Sequence, residues 1–152
     1  MNKEGMQKAF DKAVSGILAQ GGPSGHAGPT KNTYMCSYIE GTRRCAFGHL
    51  VSEGLSMELL EGKRAESIMT IDGADIFGND VKEAAKVVQN DIRNNYGPLE
   101  TTFIGALQAA HDSAARDRSR LYLTDADFIN AFRIKVEEIA LRYHLKTNVL
   151  ET

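Results

Sequence analysis

The sequence predicts an α+β domain, mostly α, with four main helices packed on one short antiparallel β-hairpin. Three observations carry this reading. Apolar residues recur at helical spacing near both ends, as Met6, Phe10, Ala13, Val14, Ile17 and Leu18, and as Phe128, Phe132, Val136, Ile139, Ala140 and Tyr143. Between these stretches Tyr34, Cys36 and Tyr38 alternate, followed by Arg43, Cys45 and Phe47 beyond Glu40-Gly41. Period two on both sides of a glycine-containing turn marks a hairpin. Gly21-Gly22 and Gly97-Pro98 punctuate the helical stretches.

Each element follows in order. Residues 3 to 20 form the first amphipathic helix, and Gly21-Gly22 stops it. Residues 21 to 32 hold four glycines and two prolines and read as a loop. No Gly-Lys-Ser/Thr follows at the P-loop spacing. Residues 33 to 51 are the hairpin; with Glu40 and Gly41 as turn residues, Cys36 faces Cys45, Tyr34 faces Phe47 and Tyr38 faces Arg43. Such a ribbon is marginal alone and must lean on helices. Ser56 is placed to cap a short turn through Met57, Leu59 and Leu60 that ends at Gly62. Residues 63 to 78 carry no clear period. Asp80 with Glu83 resembles a capping box opening a helix with Val81, Ala84, Ala85, Val88 and Ile92 on one stripe. A third helix starts at Thr101 or Thr102 and turns Phe103, Ile104, Leu107, Ala110 and Ala114 to the core. Thr124 with Asp127 caps the last.

The 152 residues suit one domain, 1–152, and no repeat or internal boundary interrupts them. With 42% hydrophobic and 25% charged residues the chain has globular rather than disordered composition. Net charge is −2 and the basic residues are scattered; Arg116, Arg118 and Arg120 cluster beside Asp112 and Asp117, which reads as a solvated helix end. No nucleic-acid partner is expected. The uncharged segment Thr101 to Ala110 is too short to span a bilayer, so no membrane partner is expected either. The charged start Met1-Asn2-Lys3-Glu4 leads into no apolar stretch, which points to the cytoplasm and to two reduced, largely buried cysteines. Oligomeric state is left open.

Chemistry-bearing residues gather around the hairpin and the third helix. A nucleophilic cysteine needs a base, and Cys45 with His111 as base, Asp112 as orienter and Gln108 as oxyanion donor makes a candidate hydrolase or transferase site. Helical geometry tells against it, since consecutive residues point about 100° apart and His111 and Asp112 then make a poor dyad. The competing reading is structural: a buried cysteine acting as a small apolar residue, and a core histidine bonded to a carbonyl. Cys36, Cys45, His49 and His111 make a conceivable zinc set, but zinc ribbons present C-x2-C knuckles rather than facing strand residues, so no metal is assigned. A phosphohydrolase-like pairing of His111-Asp112 with His49 and Asp125 or Asp127 lacks the facing helices it needs. Asp72 to Glu83 fails as a calcium loop, with Ala74, Ile76 and Phe77 where ligands and glycine belong. Ser15, Ser24 and Ser37 lack a nucleophile elbow. No cofactor is expected.

Cys36-Ser-Tyr38, then Gly41-Thr-Arg-Arg-Cys45-Ala46-Phe-Gly48-His-Leu50, Glu61-Gly62 and Leu107-Gln108-Ala-Ala-His111-Asp112 resemble in order and spacing a group of small bacteriophage and bacterial proteins. That group carries a Cys-x-Tyr strand, a Gly-x-Lys/Arg-Cys-Ala-x-Gly-x-Leu strand and a later Leu-Gln-x-x-His-Asp helix. The likeness runs from the first helix to about Tyr143; the turn here is shorter, and Ile39 stands where an Arg is common. The resemblance implies a phage or prophage setting and no mechanism; since no motif demands chemistry, the expected function is that of a non-enzymatic accessory protein that binds a host protein, interference with host defence being one such role. The expected contact surface joins the glycine-rich loop, with His26, to the outer hairpin face, with Tyr34, Tyr38, Arg43 and Arg44, residue types favoured at interfaces. A further alternative is a small-molecule pocket lined by Tyr34, Tyr38, Gln108 and His111.

Overall fold

The computed structural model describes residues 2–28, 34–70, 78–120 and 124–151. They form a mostly helical α+β fold. Helix α1 (Lys3–Gln20) opens under Asn2, whose Oδ1 accepts from Gly5 N–H at 3.0 Å. The Asn2 amide also donates to the Tyr96 and Pro98 carbonyls at 2.7 and 2.9 Å, tying the start of the chain to the end of a later helix. Gly21 ends α1 in the left-handed conformation at φ 74°, as the sequence predicts. Met6, Ala9, Phe10, Ala13, Val14 and Ile17 bury one face.

The hairpin is where expectation and structure part. The turn residues are Gly41 and Thr42, not Glu40 and Gly41, and β3 (Ile39–Glu40) pairs β4 (Arg43–Arg44) as Ile39↔Arg44 and Glu40↔Arg43. A tight two-residue hairpin needs positive φ at its first central position, and Gly41 supplies φ 62° there. That requirement moves the register, so Cys45 N–H donates to Tyr38 O and Cys36 does not face Cys45. Cys36 lies in β2 (Tyr34–Cys36), which pairs with β1 (Gly25–Ala27) from the glycine-rich segment, placing Gly25 opposite Cys36 and Ala27 opposite Tyr34. The expected hairpin of 33–51 thus becomes half of one ribbon, a shorter second ribbon and a helix, α2 (Ala46–Leu50). Gly48 allows that helix to sit on the hairpin, because a Cβ there would lie 2.2 Å from Tyr38 O.

A 3-10 turn (Glu58–Leu60) follows, with Ser56 Oγ accepting from Glu58 N–H, then α3 (Ala65–Thr70), which buries Ala65 and Ile68. Asp72, Ala74, Ile76 and Phe77, on which the rejected calcium-loop comparison turned, lie outside the described residues. Helix α4 (Asn79–Tyr96) starts at Asn79 with Gly78 at its cap, so Asp80 sits in the first turn and does not open a capping box. Helix α5 (Thr101–Arg120) packs against α6, α3, α2 and β2 and is the centre of the fold. Helix α6 (Asp125–Tyr143) carries the expected reciprocal box between Thr124 and Asp127. The buried side chains form one cluster spanning α1, α2, α4, α5 and α6. No helix among the described residues is long and apolar enough to cross a membrane.

Candidate functional site

Gln108, His111 and Asp112 share one stretch of α5, and a single hydrogen-bond network uses all three. His111 is fully buried, and its Nε2 accepts from Ser24 N–H at 2.9 Å. A ring nitrogen that accepts a backbone N–H bears no proton, so the proton sits on Nδ1, which donates to Asp112 Oδ1 at 2.8 Å. Sequence neighbours do therefore bond here, against expectation. Adjacent Cα atoms are only about 3.8 Å apart, and the two side chains are long enough to close the angle between them. Gln108 donates from Nε2 to the same Asp112 oxygen at 2.8 Å and accepts Phe47 N–H at 2.9 Å through Oε1. One helix face thereby fastens the amide of the Gly-rich segment and the first turn of α2.

This arrangement is not set up for nucleophilic catalysis. Cys45 has no exposed surface; it caps α2, its Sγ accepting Gly48 N–H at 3.3 Å, and burial above all pushes its thiol well up. His111 keeps no free lone pair to take a proton, and Gln108 spends its oxygen on Phe47 N–H and an N–H on Asp112.

Metal ligation fares no better. Cys36 Sγ, a His111 nitrogen and an Asp112 oxygen lie within 4.8 Å of one another, whereas Cys45 and His49 stand outside that group. Ligation through His111 Nδ1 would move the proton to Nε2, against Ser24 N–H. Burial first, then the Asp112 carboxylate, push the Cys36 thiol up to about 12, away from the thiolate that a metal takes.

Above this network lies a cleft of about 580 Å³ between the segment Met35–Tyr38, residues 61 to 66 and α5. Gln108 and Asp112 line it, and its charged rim holds Glu61, Glu66, Lys63, Arg64 and Arg116. Glu61 is fixed by backbone donors, accepting Tyr38 N–H at 2.9 Å and Ile39 N–H at 3.3 Å; burial still raises its carboxyl. Arg64 pairs with Glu66 at 3.5 Å.

The expected contact surface changes accordingly. Tyr38 is 5% exposed, its ring edge-on to Phe47 and its hydroxyl donating to Lys63 O, so it is core rather than an outer anchor. Arg43 pairs with Asp125 at 3.3 Å and donates to Pro23 O with its side chain still 40% exposed, and Arg44 donates to the Gly48 and Val51 carbonyls, both at 3.1 Å. His26 does stay exposed, 3.4 Å from Glu40. The Tyr34 side chain lies outside the described residues. Of the pocket residues expected from sequence, Tyr38 and Gln108 line the cleft and His111 lies buried outside its lining. Glu61, Glu66, Arg64 and Lys63 were not expected there, since only the Glu61-Gly62 pair had drawn notice and 63–78 lacks a period. The other residues weighed for a phosphohydrolase-like site are dispersed: His49 bonds Gln20, Asp125 pairs Arg43 and Asp127 caps α6.

The chain matches no protein-family model, no curated protein and no solved structure.

Proposed function

We propose that this chain is a binding protein, acting without covalent catalysis, that takes a small zwitterionic molecule in the cleft between β2 and α5. The observation that carries this is the cleft's charge pattern: three acids, Glu61, Glu66 and Asp112, and three bases, Lys63, Arg64 and Arg116, around a concavity of about 580 Å³. That size falls in the range of about 300–1,000 Å³ common for small-ligand sites, and a few convergent polar groups over a rigid floor set orientation. The floor is rigid because Gln108 and Asp112 are each held by the network beneath. The test is an NMR titration of the isotope-labelled chain with a panel of amino acids, dipeptides and betaines. Saturable shifts at Ser37, Ala109 and Ser113, weakened in Arg64→Ala and Arg116→Ala, support it; no saturable shift with any member of the panel overturns it.

A second reading, a cytoplasmic phage-type accessory protein acting on a host protein, is supported by the family resemblance and by one surface. On the β1–β2 ribbon Met35 is 50% exposed and pairs across from His26, itself open to solvent. An apolar side chain so displayed suits a protein contact. Cross-linking to one host protein that Met35→Glu abolishes would favour this reading, and capture indifferent to Met35→Glu would count against it.

A further inference from the structure

We propose a second site that shares no lining residue with the first, an anion pocket for a compact phosphate-bearing small molecule, formed by α1, the end of α2 and the last turn of α4. The pocket encloses about 400 Å³ and is lined by Lys8, Lys12, Arg44, His49, Ser52 and Asn95, among others. Lys8 and Lys12 stand one helical turn apart on α1 and so share a face. Among the described residues none of the three cations forms an ion pair: the pairs are His26–Glu40, Arg43–Asp125, Arg64–Glu66 and His111–Asp112. Lys8 Nζ rests instead on Asn95 O at 2.8 Å and over the Tyr96 ring. Arg44 is held by two carbonyls through one nitrogen, which positions its guanidinium without neutralising it. Glu53 is the carboxylate in the lining and is exposed; Asp91, nearby, is engaged by Ser52 N–H and Oγ at 2.8 and 2.6 Å. Three cations against two carboxylates, Glu53 and Asp91, leave a local excess of one positive charge in a chain whose net charge is −2.

A histidine completes the wall. His49 Nε2 donates to Gln20 Oε1, which also accepts Arg44 N–H, and Gln20's own amide donates to the Gly22 and Arg44 carbonyls. Its ring is held down to about 4, by burial first and then by Arg44 and Lys12. The wall is therefore an uncharged ring beside Arg44 and Lys12.

The occupant's class follows from the shape. Cations that converge on one concavity suit a multiply charged group with several acceptor oxygens, which a phosphate ester or diphosphate supplies. A nucleic acid calls for a stripe of cations along an extended face, which this pocket lacks. Pyrophosphate titrated calorimetrically into the full chain at low salt tests the proposal. The expected result is saturable binding that weakens at least about tenfold in Lys12→Glu and falls as added salt shortens the screening length. Both lysines are exposed, so the charge reversal should leave the melting temperature near that of the parent; Lys12→Gln serves as a milder second variant. Arg116→Ala, in the other cleft, should leave pyrophosphate binding unchanged. Absence of saturable binding overturns the proposal, as does binding that survives Lys8→Glu combined with Lys12→Glu. A single-stranded oligonucleotide that outcompetes pyrophosphate overturns it in favour of a nucleic-acid surface.

Discussion

Replacing His111 with Ala should be among the costliest substitutions in the chain. Two hydrogen bonds disappear, Ser24 N–H to Nε2 at 2.9 Å and Nδ1–H to Asp112 at 2.8 Å. Ser24 has no exposed surface, so its amide is left without a partner where water cannot readily replace one. An unmatched buried donor costs about 1–3 kcal/mol. The ring also packs edge-on against Phe128 at 5.6 Å between centroids, and the void it leaves adds about 1–2 kcal/mol. The sum, about 2–5 kcal/mol, is a large part of the roughly 5–15 kcal/mol that holds a domain together. Urea unfolding of parent, His111→Ala and His111→Gln measures it directly. Gln can offer an acceptor to Ser24 and should recover part of the loss. Amide exchange at Ser24 should quicken in the Ala variant. A loss below about 0.5 kcal/mol, the size of an ordinary surface change, would refute the reasoning, as would unchanged exchange at Ser24.

Gly48→Ala should cost more than about 2 kcal/mol by thermal melt, since the new Cβ would press to 2.2 Å from Tyr38 O and the backbone must give way. Both thiols should react slowly with a thiol reagent at neutral pH and rapidly once the chain is denatured, because burial leads in pushing Cys36 to about 12 and Cys45 well up. His49 is depressed from 6.5 to about 4, so between those values the unfolded chain binds a proton that the folded chain refuses. Stability should therefore fall as pH drops from 6.5 toward 4 and level off below; discounted for solvent screening, the histidine's share is about 1–2 kcal/mol. His49→Gln should lose that share of the slope, and an identical pH profile in the two proteins would contradict the assignment. Thr124→Ala removes one half of the α6 capping box and should lower stability by about 1 kcal/mol in a urea melt.

The four long helices were legible because each writes its own period and punctuation. Met6 to Ile17 and Phe128 to Tyr143 alone place α1 and α6, with Gly21 and Thr124 marking a stop and a start. The ribbons were not, since their partners lie elsewhere in the chain. Gly25-His26-Ala27 has no strand signature, and only the pairing with Tyr34 to Cys36 makes it β1. Arg43, Cys45 and Phe47 alternate as a strand would, yet Cys45 begins a helix, because the turn needed Gly41 at its first central position. At the site, Ile104, Leu107 and His111 sharing a stripe placed the histidine in the core, but its partner is a backbone N–H of Ser24 rather than the expected carbonyl. No local pattern announces an amide 87 positions away.

The network on α5 also has a history in time. The amide of Phe47 waits for Gln108, 61 residues later, and that of Ser24 for His111, 87 residues later. At a synthesis rate of about 5–20 residues per second these delays are roughly 3–12 s and 4–17 s. For that interval the N-terminal half of the nascent chain has neither amide matched, and the cover that later buries Cys45 and partly shields Cys36 is missing. The first half therefore cannot lock before the second arrives, and a chain truncated ahead of residue 108 should be a substrate for chaperones and proteases rather than a smaller folded domain.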